Sequence, residues 1–169
     1  MSLSVKVDAP PLLTPGFHTM DLERLHMVAV ECPRFKLSST RAQIMRNLWT
    51  VVGCLAQWGI WGELWIDGSF LTQKINPSDV DIILVLPERF LDTATPEQLS
   101  ILDWWEHRDC QPKTLFSCDT YTNPKAEASH PDYSEYRRME TYWTKWFGIS
   151  RQDEPKGIVR MLLAQGDSA

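Results

Sequence analysis

The residues of this chain whose types and spacing could do chemistry lie between Trp65 and Leu86, in the stretch WIDGSFLTQKINPSDVDIILVL. Gly68-Ser69 follows a short apolar run, and Asp79 and Asp81 open a second, β-branched run about ten residues later. In a β-strand, residues two apart share a face, so both carboxylates point the same way. Two like charges that close repel each other unless a cation stands between them. A hard divalent cation such as Mg²⁺ takes oxygen ligands, one or two of them from protein carboxylates, and keeps positions for water and phosphate. Gly68 lets the backbone approach a phosphate, to which nearby N–H groups and the Ser69 hydroxyl can donate. A third acid, Asp119, lies in TLFSCDTYT, which alternates as a strand of the same sheet. Three carboxylates facing one cleft could hold two metal ions ~3.5–4 Å apart for an in-line phosphoryl displacement, with the third acid placed to orient the attacking hydroxyl or take its proton. Each residue also has a plainer reading: Ser69 suits a turn former, Asp119 a solvated acid and Lys74 a solvated loop residue.

The elements that must position these groups follow from periodicity and punctuation. Residues 1–17, with Pro10, Pro11, Pro15 and Gly16, read as an extended N-terminal arm. Thr19 to Val30 fits a short helix that Pro33 stops. A stronger helix is expected from Ser38 or Ser39, with Ile44, Leu48, Val51, Val52 and Leu55 at helical spacing and Gly59 at its C-terminal cap. Gly62–Asp67 reads as a short strand, Leu71–Ser78 as a loop, and Val80–Leu86 as a strand closed by Pro87. Thr95-Pro96-Glu97-Gln98 is a capping box that opens another helix. Thr114 to Thr122 reads as a strand ending at Asn123-Pro124. Ser134 to Phe147 is an aromatic helix stopped by Gly148, with Tyr136, Met139, Trp143 and Trp146 near one face. Gly157 to Ala164 suits a strand or a helix equally. The expected fold is α+β, one small mixed sheet flanked by helices, in a single domain over 1–169.

Composition narrows the function. The chain has 169 residues, 43% hydrophobic, with Lys+Arg 17 against Asp+Glu 22 and net charge −5. That balance argues against holding nucleic acid by bulk electrostatics and leaves room for a small phosphorylated ligand held through metal ions. No segment approaches the ~20 apolar residues of a membrane helix, and the first residues lack a signal-peptide core. Cys32, Cys54, Cys110 and Cys118 have no CxxC spacing and read as reduced thiols of a cytoplasmic protein. His107-Arg108-Asp109 spells a kinase catalytic-loop start without any of its companions, and reads as the polar end of a helix. The tryptophans at helical spacing (Trp104, Trp105, Trp143, Trp146) read as core rather than a base-stacking platform. Arg137, Arg138, Lys145, Arg151, Lys156 and Arg160, interspersed with acids, read as a mixed solvated surface.

Gly68-Ser69, Asp79-Val80-Asp81 and the later Asp119 together resemble the nucleotidyltransferase superfamily of the DNA polymerase β type. In length the chain is similar to the minimal bacterial nucleotidyltransferases, some of which pair with a helical HEPN-type partner in toxin–antitoxin and phage-defence modules. The resemblance implies a polymerase-β-like fold in which Asp79 and Asp81 ligate Mg²⁺ (two ions, or Mn²⁺ in its place). Gly68 and Ser69 would grip the triphosphate of an NTP such as ATP. Asp119 would complete the metal site and help activate the acceptor hydroxyl, which belongs to a protein side chain, a small molecule or a tRNA end. Many members follow the Gly-Ser with Arg-Gly. Here Thr72-Gln73-Lys74 follows, so a basic phosphate contact from this loop falls to Lys74. Larger members also carry a helical domain that holds the nucleobase, for which 169 residues leave little room. A catalytically silent NTP-binding, antitoxin or regulatory module, and a plain interaction domain, are the alternatives.

Overall fold

A run as apolar as Val80–Leu86 needs cover on both faces and a strand on either side, and the structure supplies both. The computed structural model describes residues 9–107 and 111–164. In chain order they form β1 (Gly16–Thr19), α1 (Leu22–Ala29), α2 (Arg41–Gln57), β2 (Gly62–Asp67), β3 (Val80–Pro87), α3 (Glu88–Leu91), α4 (Pro96–Glu106), α5 (Gln111–Phe116), β4 (Cys118–Lys125), α6 (Tyr133–Gly148) and β5 (Gly157–Leu163). Short 3-10 turns occupy Pro33–Phe35 and Ser69–Leu71. The fold is mixed α/β: a five-stranded mixed sheet in the order β1-β5-β2-β3-β4, flanked by helices. Strand β2 runs antiparallel to both β3 and β5, while β1–β5 and β3–β4 are parallel pairs.

Alternation along the strands divides the core in two. Leu64, Ile66, Ile82, Leu84 and Val159 face Leu25 of α1, Ile44, Leu48 and Leu55 of α2, and Trp105 of α4. The opposite face carries Trp65, Ile83, Val85 and Ile158 against Phe147 of α6, with Tyr121 and Trp143 packed beside them. Full burial of one such side chain stabilises by roughly 1.5–3 kcal/mol. The larger first cluster therefore supplies most of the apolar stabilisation, and the second face can hold polar groups at its end.

Several sequence expectations are borne out. The capping box forms, with Thr95 accepting from the Gln98 N–H and Gln98 accepting from the Thr95 N–H. Gly59, at φ +65°, follows α2 in the left-handed conformation that ends it. His107 caps α4 at its C-terminal end; Arg108 and Asp109 lie outside the described residues. Trp105 is buried and Trp104 and Trp143 are half-buried, but Trp146 is exposed and stacks on Tyr142. Among the described residues Cys32, Cys54 and Cys118 are free thiols, and no helix is long and apolar enough to cross a membrane.

Other expectations are corrected. The stretch TLFSCDTYT is not one strand: Thr114–Phe116 close the helix α5, and β4 begins only at Cys118. Pro112 suits the first turn of a helix, and Ser117 at φ +53° makes the left-handed reversal into the strand. Leu115 is consequently exposed rather than core. Strand β4 also runs on through Pro124, which an edge strand tolerates because no ladder partner needs that N–H. Thr19 ends β1 rather than starting a helix, so α1 begins at Leu22, capped by the Asp21 side chain accepting from the Arg24 N–H at 2.8 Å. Of the expected arm, residues 1–8 lie outside the described residues, while Gly16 and Phe17 join the sheet against β5. The undecided segment from Gly157 is the strand β5.

One buried cation, not singled out in the sequence, ties the loop after Gly68-Ser69 to α2. Arg41 is fully buried, and all five of its N–H groups donate to backbone carbonyls, those of Ala29, Phe70, Thr72 and Lys74, at 2.6–3.1 Å. Its guanidinium lies 3.6 Å from the Phe35 ring centroid. Burial lowers its pKa to about 10, which leaves it charged at neutral pH. Lysine cannot reproduce a five-donor planar fork. Removing the fork by Arg41→Met leaves buried carbonyls unpaired and is expected to cost about 3 kcal/mol or more, with Arg41→Lys recovering only part. Urea denaturation of both variants checks this; a loss under about 1 kcal/mol in Arg41→Met would contradict it.

Candidate active site

The site grows from strand register. Asp67, the last residue of β2, pairs across the ladder with Asp81 of β3, and Asp81 pairs in turn with Asp119 of β4. Residues opposite one another in a sheet share a face, so three carboxylates stand side by side on three adjacent strands. Their face is that of Trp65, two residues before Asp67, and of Ile83 and Tyr121, two residues after Asp81 and Asp119, and therefore the face that α6 covers. Asp79, just before β3, is near enough for its charge to bear on Asp81, and accepts from the Ser78 hydroxyl at 3.2 Å. The structure thus brings together Asp79, Asp81 and Asp119, and adds Asp67.

The turn between β2 and β3 is shaped around Asp81. Gly68 has φ +83° and ψ −165°, a conformation essentially reserved for glycine. A Cβ there would stand 1.9 Å from Asp81 Oδ2 and 2.9 Å from its Cγ. The missing side chain is therefore the space that the Asp81 carboxylate occupies. Ser69 starts the 3-10 turn, and its Oγ is buried without a hydrogen-bond partner; so is Oδ1 of Asp67, a residue only 2% exposed. Buried polar atoms of this kind need a partner to be stable. The backbone of Lys74 anchors the loop: its carbonyl accepts from Arg41 and its N–H donates to Thr72 Oγ1. The cations that bear on Asp81 are Lys156 and Lys113.

Sequence pattern places Lys156 on a mixed solvated surface and gives Lys113 no role. Lys113 of α5 donates to Asp119 Oδ2 at 2.5 Å. The reversal at Ser117, whose N–H donates to the Lys113 carbonyl, places the two side chains together. Lys156, just before β5, donates to Asp67 Oδ2 at 2.6 Å, and both side chains are nearly inaccessible. It is not part of a solvated surface. No signal within a single element announces these pairs; only adjacency of β5 to β2 brings Lys156 to Asp67. Asp67 itself had a signal, as the acid directly before Gly68 at the end of a strand.

Confinement perturbs the carboxyls. Burial first, and then the neighbouring Asp79 and Asp119 carboxylates, push the Asp81 pKa up to about 6. Burial pushes Asp67 up to about 7 against the pull of Lys156. Burial likewise raises the Cys118 thiol to about 12, so it is no nucleophile at neutral pH. Among the described residues no three acidic, imidazole or thiol side chains already converge as a metal cage; Lys113 and Lys156 each hold one carboxylate oxygen. The donor set still fits a hard divalent cation, because Mg²⁺ needs only one or two carboxylates beside phosphate oxygens. The unpartnered Ser69 hydroxyl fits a phosphate next to it, and the glycine at 68 leaves the Asp81 carboxylate its place beside that turn.

Residues 5–162 match a protein family described as a family of unknown function (DUF6932), and the chain belongs to that family. No curated protein and no solved structure matches the chain.

The raised carboxyls carry a pH signature. In the folded state Asp67 and Asp81 keep protons that the unfolded chain has released between about pH 4 and pH 6–7, so metal-free stability falls as pH rises through that window. Asp81→Asn removes the Asp81 share and is expected to stabilise the metal-free protein at pH 8 by on the order of 2 kcal/mol, with the gain gone by pH 4. Denaturation with chelator present, at both pH values, checks it; a variant less stable than the parent at pH 8 would contradict it.

Proposed function

We propose that this member of the DUF6932 family is a metal-dependent nucleotidyltransferase with a polymerase-β-like fold, moving a nucleoside monophosphate from an NTP to an acceptor hydroxyl. The observation that carries the reading is the coincidence of three features at one sheet end. These are the row Asp67–Asp81–Asp119, Asp79 beside it, and a glycine cradle with an unpartnered serine hydroxyl.

On this reading Asp79 and Asp81 would hold Mg²⁺, with Asp119 as a further ligand in place of its pairing with Lys113. When bound, the cation supplies neutralisation of charge on the phosphates and on the oxygens that attack and leave. Ser69 donates its hydroxyl to a phosphate oxygen, and Gly68 keeps the turn close enough for backbone N–H groups to do the same. Asp119 orients the acceptor hydroxyl and takes its proton as the acceptor oxygen bonds the α-phosphorus. The bond from the α-phosphorus to the bridging oxygen breaks, and pyrophosphate leaves with that electron pair. Lys113, released from Asp119, stays beside the developing negative charge. Little covalent chemistry is asked of the protein, in keeping with phosphoryl transfer by positioning and electrostatics. The acceptor is a protein side chain, a small molecule or a tRNA end, and a helical partner protein could present it.

A second reading has its own support. Lys113 and Lys156 already neutralise two of the acids, which suits a silent NTP-binding or antitoxin module better than a site loaded for turnover. Transfer of label from each α-labelled NTP to total cell protein and RNA, with Mg²⁺, separates the two. Label on one acceptor class is expected, lost at least a hundredfold in Asp79→Asn/Asp81→Asn. Mg²⁺-NTP binding without any transfer would overturn the enzyme in favour of the module.

A further inference from the structure

A cavity of about 500 Å³ opens beside the carboxylate row, between α6 and the β1–β5 edge of the sheet. Phe17 of β1 and Ile158 of β5, paired directly across the ladder, form its floor, and Thr141 and Thr144 of α6 face them. Phe17 and Ile158 share the sheet face of the carboxylates, since Ile158 packs with Trp65 and Phe17 lies 4.8 Å from the Trp65 ring. They also share its end. The β2–β5 register ends at Ile66↔Val159, so the next residues, Asp67 and Ile158, continue side by side. Lys156 belongs to both places: it lines the cavity, and its ammonium donates to Asp67. Its backbone N–H donates to the Gly148 carbonyl at the end of α6, which fixes the wall between them.

We propose that this cavity receives the nucleoside of the NTP, the base lying over Phe17 and the triphosphate running across Lys156 to Gly68-Ser69. The proposal rests on the nucleotidyltransferase reading and gives it a base site built from this chain alone. Three observations support it. The size suits, since pockets for small ligands run roughly 300–1,000 Å³. Adjacent strands lie about 4.8 Å apart, so β1 is about 10 Å from β2, a span that a nucleoside and its first phosphates can cross. The chemistry suits too: Phe17 is 41% exposed and offers a ring for stacking, the Thr144 hydroxyl can donate or accept at a base edge, and the Thr141 hydroxyl, which donates to the Arg137 carbonyl at 2.8 Å, can accept there. The Lys156 ammonium, held on Asp67 Oδ2, stands between the cavity that its side chain lines and the acids.

The test measures calorimetric binding, with Mg²⁺, of ATP, GTP, CTP, UTP and inorganic tripolyphosphate to the full chain. The parent is expected to bind at least one NTP tenfold more tightly than tripolyphosphate. Thr144→Trp, which fills the cavity, is expected to bring that NTP down to the tripolyphosphate level and leave tripolyphosphate unchanged. Phe17→Leu, which keeps apolar bulk and removes the ring, is expected to weaken the NTP about fivefold or more, the stacking of one base being worth ~1 kcal/mol or more; it serves if the tryptophan variant fails to fold. NTP affinity unchanged in both variants overturns the cavity assignment and leaves the triphosphate site standing. Unchanged NTP binding with lost transfer in Thr144→Trp overturns it in favour of an acceptor pocket. Absence of tripolyphosphate and NTP binding in the folded parent overturns the triphosphate reading and this proposal together.

Discussion

Three carboxylates stand on neighbouring positions of β2, β3 and β4, on a face largely closed to water. At ~5 Å and an effective dielectric of ~20, each adjacent pair of ionised groups repels by roughly 3 kcal/mol. A sheet end built this way is tolerable only if protons, lysines or a bound cation meet the charge. Much of the local architecture answers that demand. The reversal at Ser117 turns α5 back so that Lys113 reaches Asp119, and β5 enters the sheet beside β2 with Lys156 at its threshold. Protons answer the rest, in the raised pKa values of Asp67 and Asp81.

The two sheet faces divide the labour. The face toward α1, α2 and α4 is mainly apolar, with Thr120 of β4 donating to the Trp105 carbonyl of α4, and its burial can offset the repulsion at the sheet end. The face toward α6 carries only a small aromatic cluster, then the carboxylates, then the cavity under β1 and β5. Between them the loop after Gly68 is held in shape by Arg41, whose five donors satisfy carbonyls that would otherwise be buried without partners. The lysine pairs differ in kind. Lys113 is about half exposed, and its pair with Asp119 can open at little cost. Lys156 and Asp67 are both buried, and separating them would strand a charge in the interior. The first is suited to exchange with a ligand, the second to holding the wall of the cavity.

Much of this was legible before any coordinates. Strand periodicity alone put Asp79 and Asp81 on one side, and the β-branched run after them required a central strand. The Gly-Ser turn was readable as a close approach, although what approaches Gly68 in the structure is Asp81 rather than backbone to phosphate. Asp119 was found through a strand whose first half is in fact helix, because alternation in TLFS mimics a strand where Pro112 and Ser117 dictate a helix and its reversal. Asp67 carries a local mark, as the acid directly before Gly68 at a strand end, and Lys113 meets Asp119 six residues on through the reversal at Ser117. The roles of Lys156 and Arg41 depend on which elements lie side by side, with contacts across 33 positions in the case of Arg41 and Lys74, which local pattern does not encode. The pairing of β1 with β5, and with it the cavity, was hidden likewise.

On the proposed function, the acids of this sheet end hold a divalent cation beside a phosphorylated ligand. A crystal structure grown with Mn²⁺ and a non-hydrolysable NTP analogue tests it most directly, through the anomalous signal of manganese. Manganese within coordination distance of Asp79 and Asp81, with Lys113 moved off Asp119, is the result expected. Manganese absent from this sheet end, with Lys113–Asp119 and Lys156–Asp67 both intact around the bound analogue, would contradict it.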